Sequence, residues 1–179
     1  MATIYSNPER NRNHDPLRVM TVDPGTSAGW AMWDAGSLDA VGWVNGKDAR
    51  AIAEVIRKCY PEMLIIERPH GGKATAITMR GMWLAYGRWA TVAEYQRLPI
   101  EEVWAITWQS YLPGWRSGMK RDETGDLYQE QARAFSGRQV LTPDECAAVC
   151  LGWWYWGVRG VVPSCASLTD MEGNGAIHD

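Results

Sequence analysis

"RVMTVDPGTSAGWAMWD", residues 18–34, is an apolar run, a turn and a second apolar run. Val19, Met20 and Val22 fill the first run with apolar side chains, so a short buried strand is expected there. Asp-Pro-Gly at 23–25 ends it in a turn. "GWAMWD" (29–34) and "DAVGWVN" (39–45) follow at hairpin spacing, with Gly, Ser and Asp between them. The chain is therefore expected to open as a three-stranded antiparallel meander.

Beyond the meander the period changes. "KDARAIAEVIRKCY" (47–60) places Ala51, Ile52, Val55, Ile56 and Cys59 at three- and four-residue steps, an amphipathic helix that Pro61 stops. "EMLIIERP" (62–69) is a continuous apolar run of strand length. "GGKAT" (71–75) reads as a glycine loop, and a helical pattern runs from about Ala76 to Gln96. "EEVWAIT" (101–107) is a further strand, and "TWQSYLPGW" (107–115) a helical turn cut by Pro113. Residues 116–126 read as a charged loop, 126–137 as a helix and 142–158 as a last helix. The order β-β-β-α-β-α-β-α implies an α/β fold, a mixed five-stranded sheet with helices on both faces. Residues 1–17 are a polar arm, 18–158 the domain, and 159–179 a tail rich in Gly, Ser and acids.

With 179 residues the chain has room for one domain with a sizeable core. A net charge of −3 and a pI near 5.6 argue against a passive coat for nucleic acid. They leave room for a nuclease, whose clustered acids lower the sum. Eleven Trp stand against one Phe, and Trp serves both as core filler and as a surface for stacking on bases. None of the four cysteines forms a CxxC pair, and Cys146 and Cys150 share a helix face as buried thiols. No apolar stretch reaches the roughly 18 residues a membrane span needs. The opening residues lack the apolar core of a signal peptide, so a reducing cytoplasm is expected.

Three acids stand where acids are costly unless used. Asp23 ends the first strand, Glu67 ends the fourth, and Asp144 starts the last helix. In a sheet of this order the first and fourth strands are parallel neighbours, so Asp23 and Glu67 emerge side by side. Two close carboxylates repel unless a cation lies between them. Oxygen ligands of this kind suit Mg²⁺ or Mn²⁺. Each acid also has an ordinary explanation. Asp23 closes a turn, Glu67 can pair with a cation, and Asp144 complements a helix dipole behind the Thr142–Glu145 capping box.

Four stretches together carry a resemblance: "VDPGTSAGWAMWD", "LIIERPHGGK", "ITWQSYL" and "TPDECAAVCLG". In order and spacing, over about residues 18–158, the chain resembles RuvC-like Holliday junction resolvases of the RNase H-like superfamily, especially small phage-type members. The resemblance implies an endonuclease that cuts four-way DNA junctions as a homodimer, in a bacterial host cell, with two Mg²⁺ or Mn²⁺ ions per active site. It implies Asp23 as the acid bridging both ions, Glu67 as a second ligand and Asp144 as a third. The family usually carries a second acid three residues past the position of Asp144, and here that position is Ala147. A methyl group cannot bind metal, so cleavage is expected to be slowed. Two origins stand for Ala147, a substituted aspartate and natural divergence.

His70 lies where related resolvases carry an aromatic near the junction centre. Lys73 in the glycine loop, Arg80 on the following helix, and Lys120 and Arg121 in the charged loop are phosphate candidates. The helix over 76–96 carries Met79, Met82, Trp83, Tyr86 and Trp89 over a wide arc, and the resemblance makes it the dimer interface. Other readings use the same residues: a nuclease for RNA–DNA hybrids or flaps, or a non-cleaving junction-binding protein. "DPGTSAG" is also similar to the phosphate loop of sugar kinases and actin-like ATPases, which usually need two such lobes.

Overall fold

A computed structural model describes residues 17–70, 75–137 and 141–165, the side chains of Arg121 and Cys165 excepted. The expected polar arm (apart from Leu17), the glycine loop with Lys73 (apart from Thr75), and most of the expected tail lie outside the described residues. The elements are β1 (Arg18–Asp23), β2 (Ser27–Asp34), β3 (Ser37–Asn45), α1 (Ala49–Cys59), β4 (Met63–Arg68), α2 (Ala76–Tyr95), β5 (Ile100–Trp104), α3 (Ala105–Gln109), α4 (Arg121–Ser136), α5 (Pro143–Gly157) and β6 (Ser164–Cys165). The sheet order is β5-β4-β1-β2-β3-β6. β1, β2 and β3 form the antiparallel meander, and β4 and β5 add in parallel beside β1. These are the five expected strands. The two-residue β6 joins the far edge, parallel to β3.

Both faces of the sheet are covered, which is why "RVMTV" has no polar side. Val19 and Ile65 pack under α3, α4 and α5, while Met20, Val22, Leu64 and Ile66 pack under α1 and α2. Thr21 is the buried polar exception on β1. Its Oγ1 donates to the Ala148 carbonyl at 2.7 Å and accepts from Trp33 Nε1 at 3.2 Å. A buried hydroxyl satisfied in this way costs little and ties the sheet to α5.

α5 lies on the sheet through residues four apart. The backbone of Asp144 rests on Gly29, Ala148 bonds Thr21, and Gly152 rests on the Trp33 indole. A Cβ at Gly29 would stand 2.0 Å from the Asp144 carbonyl oxygen, and one at Gly152 would stand 1.9 Å from Trp33 Nε1. Glycine at these two positions lets the helix descend onto the strands.

Two expectations need correction. Residues 116–126 are not one charged loop, because α4 begins at Arg121. Its first turn has no apolar stripe to betray it. It is held instead by Glu123, which accepts from the Lys120 N–H at 2.8 Å and pairs with Arg116 at 2.9 Å. The strand expected over 101–107 ends at Trp104, and α3 starts at Ala105.

The packing of α5 makes a direct prediction. Gly29→Ala is expected to lower unfolding stability by about 3 kcal/mol, because backbone meets the new methyl and cannot turn aside. Gly125→Ala, in open space on α4, is expected to raise it by up to about 1 kcal/mol through helix propensity. Urea unfolding midpoints of the two variants check both signs.

Candidate active site

Strand alternation decides which way the acids face. Asp23 continues the row of Val19 and Thr21, on the α5 side of β1. Glu67 continues the row of Ile65, on the same side of β4. β1 and β4 are parallel, with Val22 opposite Ile66, so both acids leave the same edge one residue later. Asp23 pairs across to Gly29, and the backbone of Asp144 rests on that glycine. Three separate elements thus deliver one acid each to one corner of the fold.

The carboxylates of Asp23 and Glu67 are half-buried and dominated by lost hydration. Burial raises the Asp23 carboxyl well above its ordinary value, and the charges of Glu67 and Asp144 raise it further. Burial likewise pushes Glu67 up to about 7, against a lowering by its hydrogen bond from Trp108. That bond, Trp108 Nε1 to Glu67 Oε2 at 2.9 Å, fixes one carboxylate oxygen. The Trp108 ring is fully buried and meets Tyr128 at 5.0 Å between centroids. Tyr128 hydrogen-bonds the Gln109 side chain. Burial first, then the charge of Glu67, holds its hydroxyl protonated far above the usual phenol range.

The donor set fits a hard divalent cation as a pair rather than as a cage. Among the described residues, no three His, Cys, Asp or Glu side chains stand close enough to hold one ion together. Asp23 feels the charges of both Glu67 and Asp144. Mg²⁺ keeps several waters and is commonly bound by one or two carboxylates together with substrate phosphate. Two desolvated acids delivered to one edge match that demand.

Ala147 lies one turn past Asp144, 5% exposed, in the apolar cluster that includes Trp108, Cys150 and Leu151. The expected DNA contacts His70, Arg80 and Lys120 are all exposed. His70 is exposed just beyond β4, its ring edge-on to Trp104 at 6.1 Å. Arg80 is exposed on α2, and Lys120 is exposed at the N-cap of α4, where Arg121 is the first helical residue. Lys73 lies outside the described residues.

Trp108, Gln109 and Tyr128 escape a reading of the sequence. "ITWQSYL" marks the segment, but an indole reaching 41 positions back to Glu67 leaves no local periodicity. Arg68 and Trp104 escape it too. The Arg68 guanidinium lies 4.5 Å from the Trp104 ring centroid and 6.0 Å from that of Trp83.

No protein-family model matches the chain, and no curated protein is similar to it in sequence. Solved structures are similar in fold. T. thermophilus RuvC in complex with a Holliday junction substrate superposes with a TM-score of 0.62 at 15% identity, over 82% of this chain and 98% of that one. Fowlpox virus resolvase, in complex with its substrate Holliday junction DNA, gives 0.51 at 14% identity, over 80% and 99%. The yeast mitochondrial Holliday junction resolvase gives 0.50 at 14%, over 83% and 82%. The chain has the RNase H-like fold of RuvC-type resolvases. Among the described residues no helix is long and apolar enough to cross a membrane.

The raised carboxyls predict a pH signature. Between Glu67's ordinary value of 4.5 and about 7, the folded chain keeps a proton that the unfolded chain has lost. Folding stability of the metal-free protein should therefore fall as pH rises through that window. Mg²⁺ or Mn²⁺ should raise the melting temperature more at pH 8 than at pH 5.5, because binding must displace the proton. Glu67→Gln should stabilise the metal-free protein at pH 8 and abolish the metal response. Equal metal shifts at both pH values would contradict this assignment.

Proposed function

We propose that this protein is a divalent-metal-dependent endonuclease that binds four-way or otherwise branched DNA and hydrolyses its backbone. The observation that carries the reading is the pair of desolvated carboxylates, Asp23 and Glu67, with the charge of Asp144 acting on Asp23, at one edge of a resolvase-type fold. Asp23, central in the set, would hold metal from both sides, and Glu67 would ligate with its oxygen not held by Trp108. Asp144 would serve a second ion or orient water. An ion bound there would lower the pKa of a bound water and neutralise charge building on the phosphate. Tyr128 and Trp108 exclude solvent from the inner side of the pair. His70, Lys73, Arg80, Lys120 and Arg121 would contact DNA, mainly its phosphates, so affinity would fall steeply with salt.

Ala147 favours a second reading, a junction-binding protein of low turnover, because its methyl group sits in an apolar cluster where the family pattern has an acid. Cleavage of four-way junctions, flaps and RNA–DNA hybrids with Mg²⁺ separates the options. Metal-dependent cuts in the four-way junction that Asp23→Asn abolishes are the expected result. Preference for the hybrid would replace the substrate assignment, and binding without cleavage would favour the second reading. Ala147→Asp is expected to raise the cleavage rate by ten-fold or more, while its buried carboxyl lowers metal-free stability. No gain would remove the idea of a missing ligand.

The same reading calls for paired incisions, and hence two-fold symmetry. α2 supports this. Ala85, Trp89, Val92 and Ala93 bury its second half, while Ile77, Trp83 and Leu84 expose large apolar surface on its first half. A second copy of the chain would cover that surface. Sedimentation should show a dimer at micromolar concentration that Leu84→Glu dissociates. A wild-type monomer at that concentration would contradict the interface.

A further inference from the structure

On the opposite face of the same sheet edge, next to Glu67, stands a second built feature. β4 and β5 are parallel, with Glu67 opposite Val103 and Arg68 opposite Trp104. Arg68 and Trp104 therefore turn away from the carboxylates, toward α2. Contacts on that side agree: Arg68 pairs with Glu102 at 3.7 Å, and Glu102 also accepts from the Tyr86 hydroxyl of α2. The guanidinium lies over the face of the Trp104 indole at 4.5 Å, and the His70 ring meets the same indole edge-on.

Trp104 is nevertheless 44% exposed. An exposed Trp normally moves among rotamers. This one is backed by a cation on one face and braced by an imidazole, so its orientation is set before any ligand arrives. Ile106, two residues on in α3, is also exposed. The acid nearest the stack, Glu102, is already shared between Arg68 and Tyr86. The surface thus offers a flat π face backed by a half-buried positive charge, and that arginine follows Glu67 directly on β4.

We propose that Trp104, seated on Arg68 and braced by His70, is a stacking platform for one unpaired nucleobase of the DNA whose backbone passes the carboxylates. This rests on the nuclease reading and deepens it. Every base has a π face, so the platform would tolerate sequence while selecting for bases free of their duplex stack. A branch point or a single-stranded end supplies such a base, and continuous duplex does not. The guanidinium behind the ring both polarises the indole and draws the polyanion to the edge. Arg68 is a positioning residue here, because it acts through Trp104.

The test uses the whole protein and 2-aminopurine, a fluorescent base whose emission reports stacking. It is placed in turn at positions flanking the branch of a four-way junction, and in a single-stranded oligonucleotide, without added divalent cation. The expected result is a change in emission on binding at one or two branch positions. Trp104→Ala should remove that change and weaken branched-DNA binding roughly ten-fold. Trp104→Phe, which keeps an aromatic face, should retain most of both. Arg68→Met should reduce the response while leaving the ring in place. An unchanged response in Trp104→Ala, or wild-type binding to the junction without any response, overturns the platform and leaves the nuclease reading standing. A Trp104-dependent response on the single strand, with no junction binding, keeps the platform and overturns the junction as substrate. No response with either DNA overturns the platform.

Discussion

Two carboxylates at the ends of adjacent parallel strands repel each other, and here burial adds to the repulsion instead of relieving it. Asp23 and Glu67 are forced into this position by the register of β1 and β4 beneath them. Sliding β4 by one residue would turn Glu67 to the other face, but it would also expose Leu64 and Ile66 to the wrong core. The apolar pattern that folds the sheet therefore also holds the acids together. Repulsion of this kind is tolerated where a cation resolves it.

α5 is the joint between that constraint and the core. Its line of contact through Asp144, Ala148 and Gly152 depends on glycine at 29 and 152 and on the buried hydroxyl of Thr21. Each of these brings the helix closer than an ordinary helix–sheet contact would. The first turn of α5 is capped by Thr142 and Glu145, which bond each other's backbone N–H groups at 3.3 and 2.7 Å. Asp144 is thus left out of the capping box, in position to act on Asp23 by its charge. On the inner side, Trp108 takes one oxygen of Glu67 and stacks toward Tyr128, closing the pair from behind.

Much of this is legible in the sequence. A change from apolar runs to three- and four-residue steps marked the strands and helices, and strand order placed Asp23 beside Glu67. The first turn of α4 was not legible, because capping and charge hold it without an apolar stripe. The Trp108–Glu67 bond was not legible either, since it joins residues 41 apart whose closeness only the fold creates. Nothing local in the sequence singles out Arg68 or Trp104. Their significance lies in cross-strand register, which pairs them, and in an exposure that composition cannot reveal. Asp144 stands between the two cases. Its element and its turn are legible, but its charge on Asp23 depends on the close seat of α5 on Gly29, which only the fold creates.

The central claim is that a divalent cation resolves the Asp23–Glu67 repulsion. Anomalous diffraction from crystals grown with Mn²⁺ tests it most directly. The account predicts a peak within bonding distance of both Asp23 and Glu67, with Trp108 still bound to the other oxygen of Glu67. Mn²⁺ absent from that edge at saturating concentration, with the two carboxylates sharing a proton or turned apart, would contradict it.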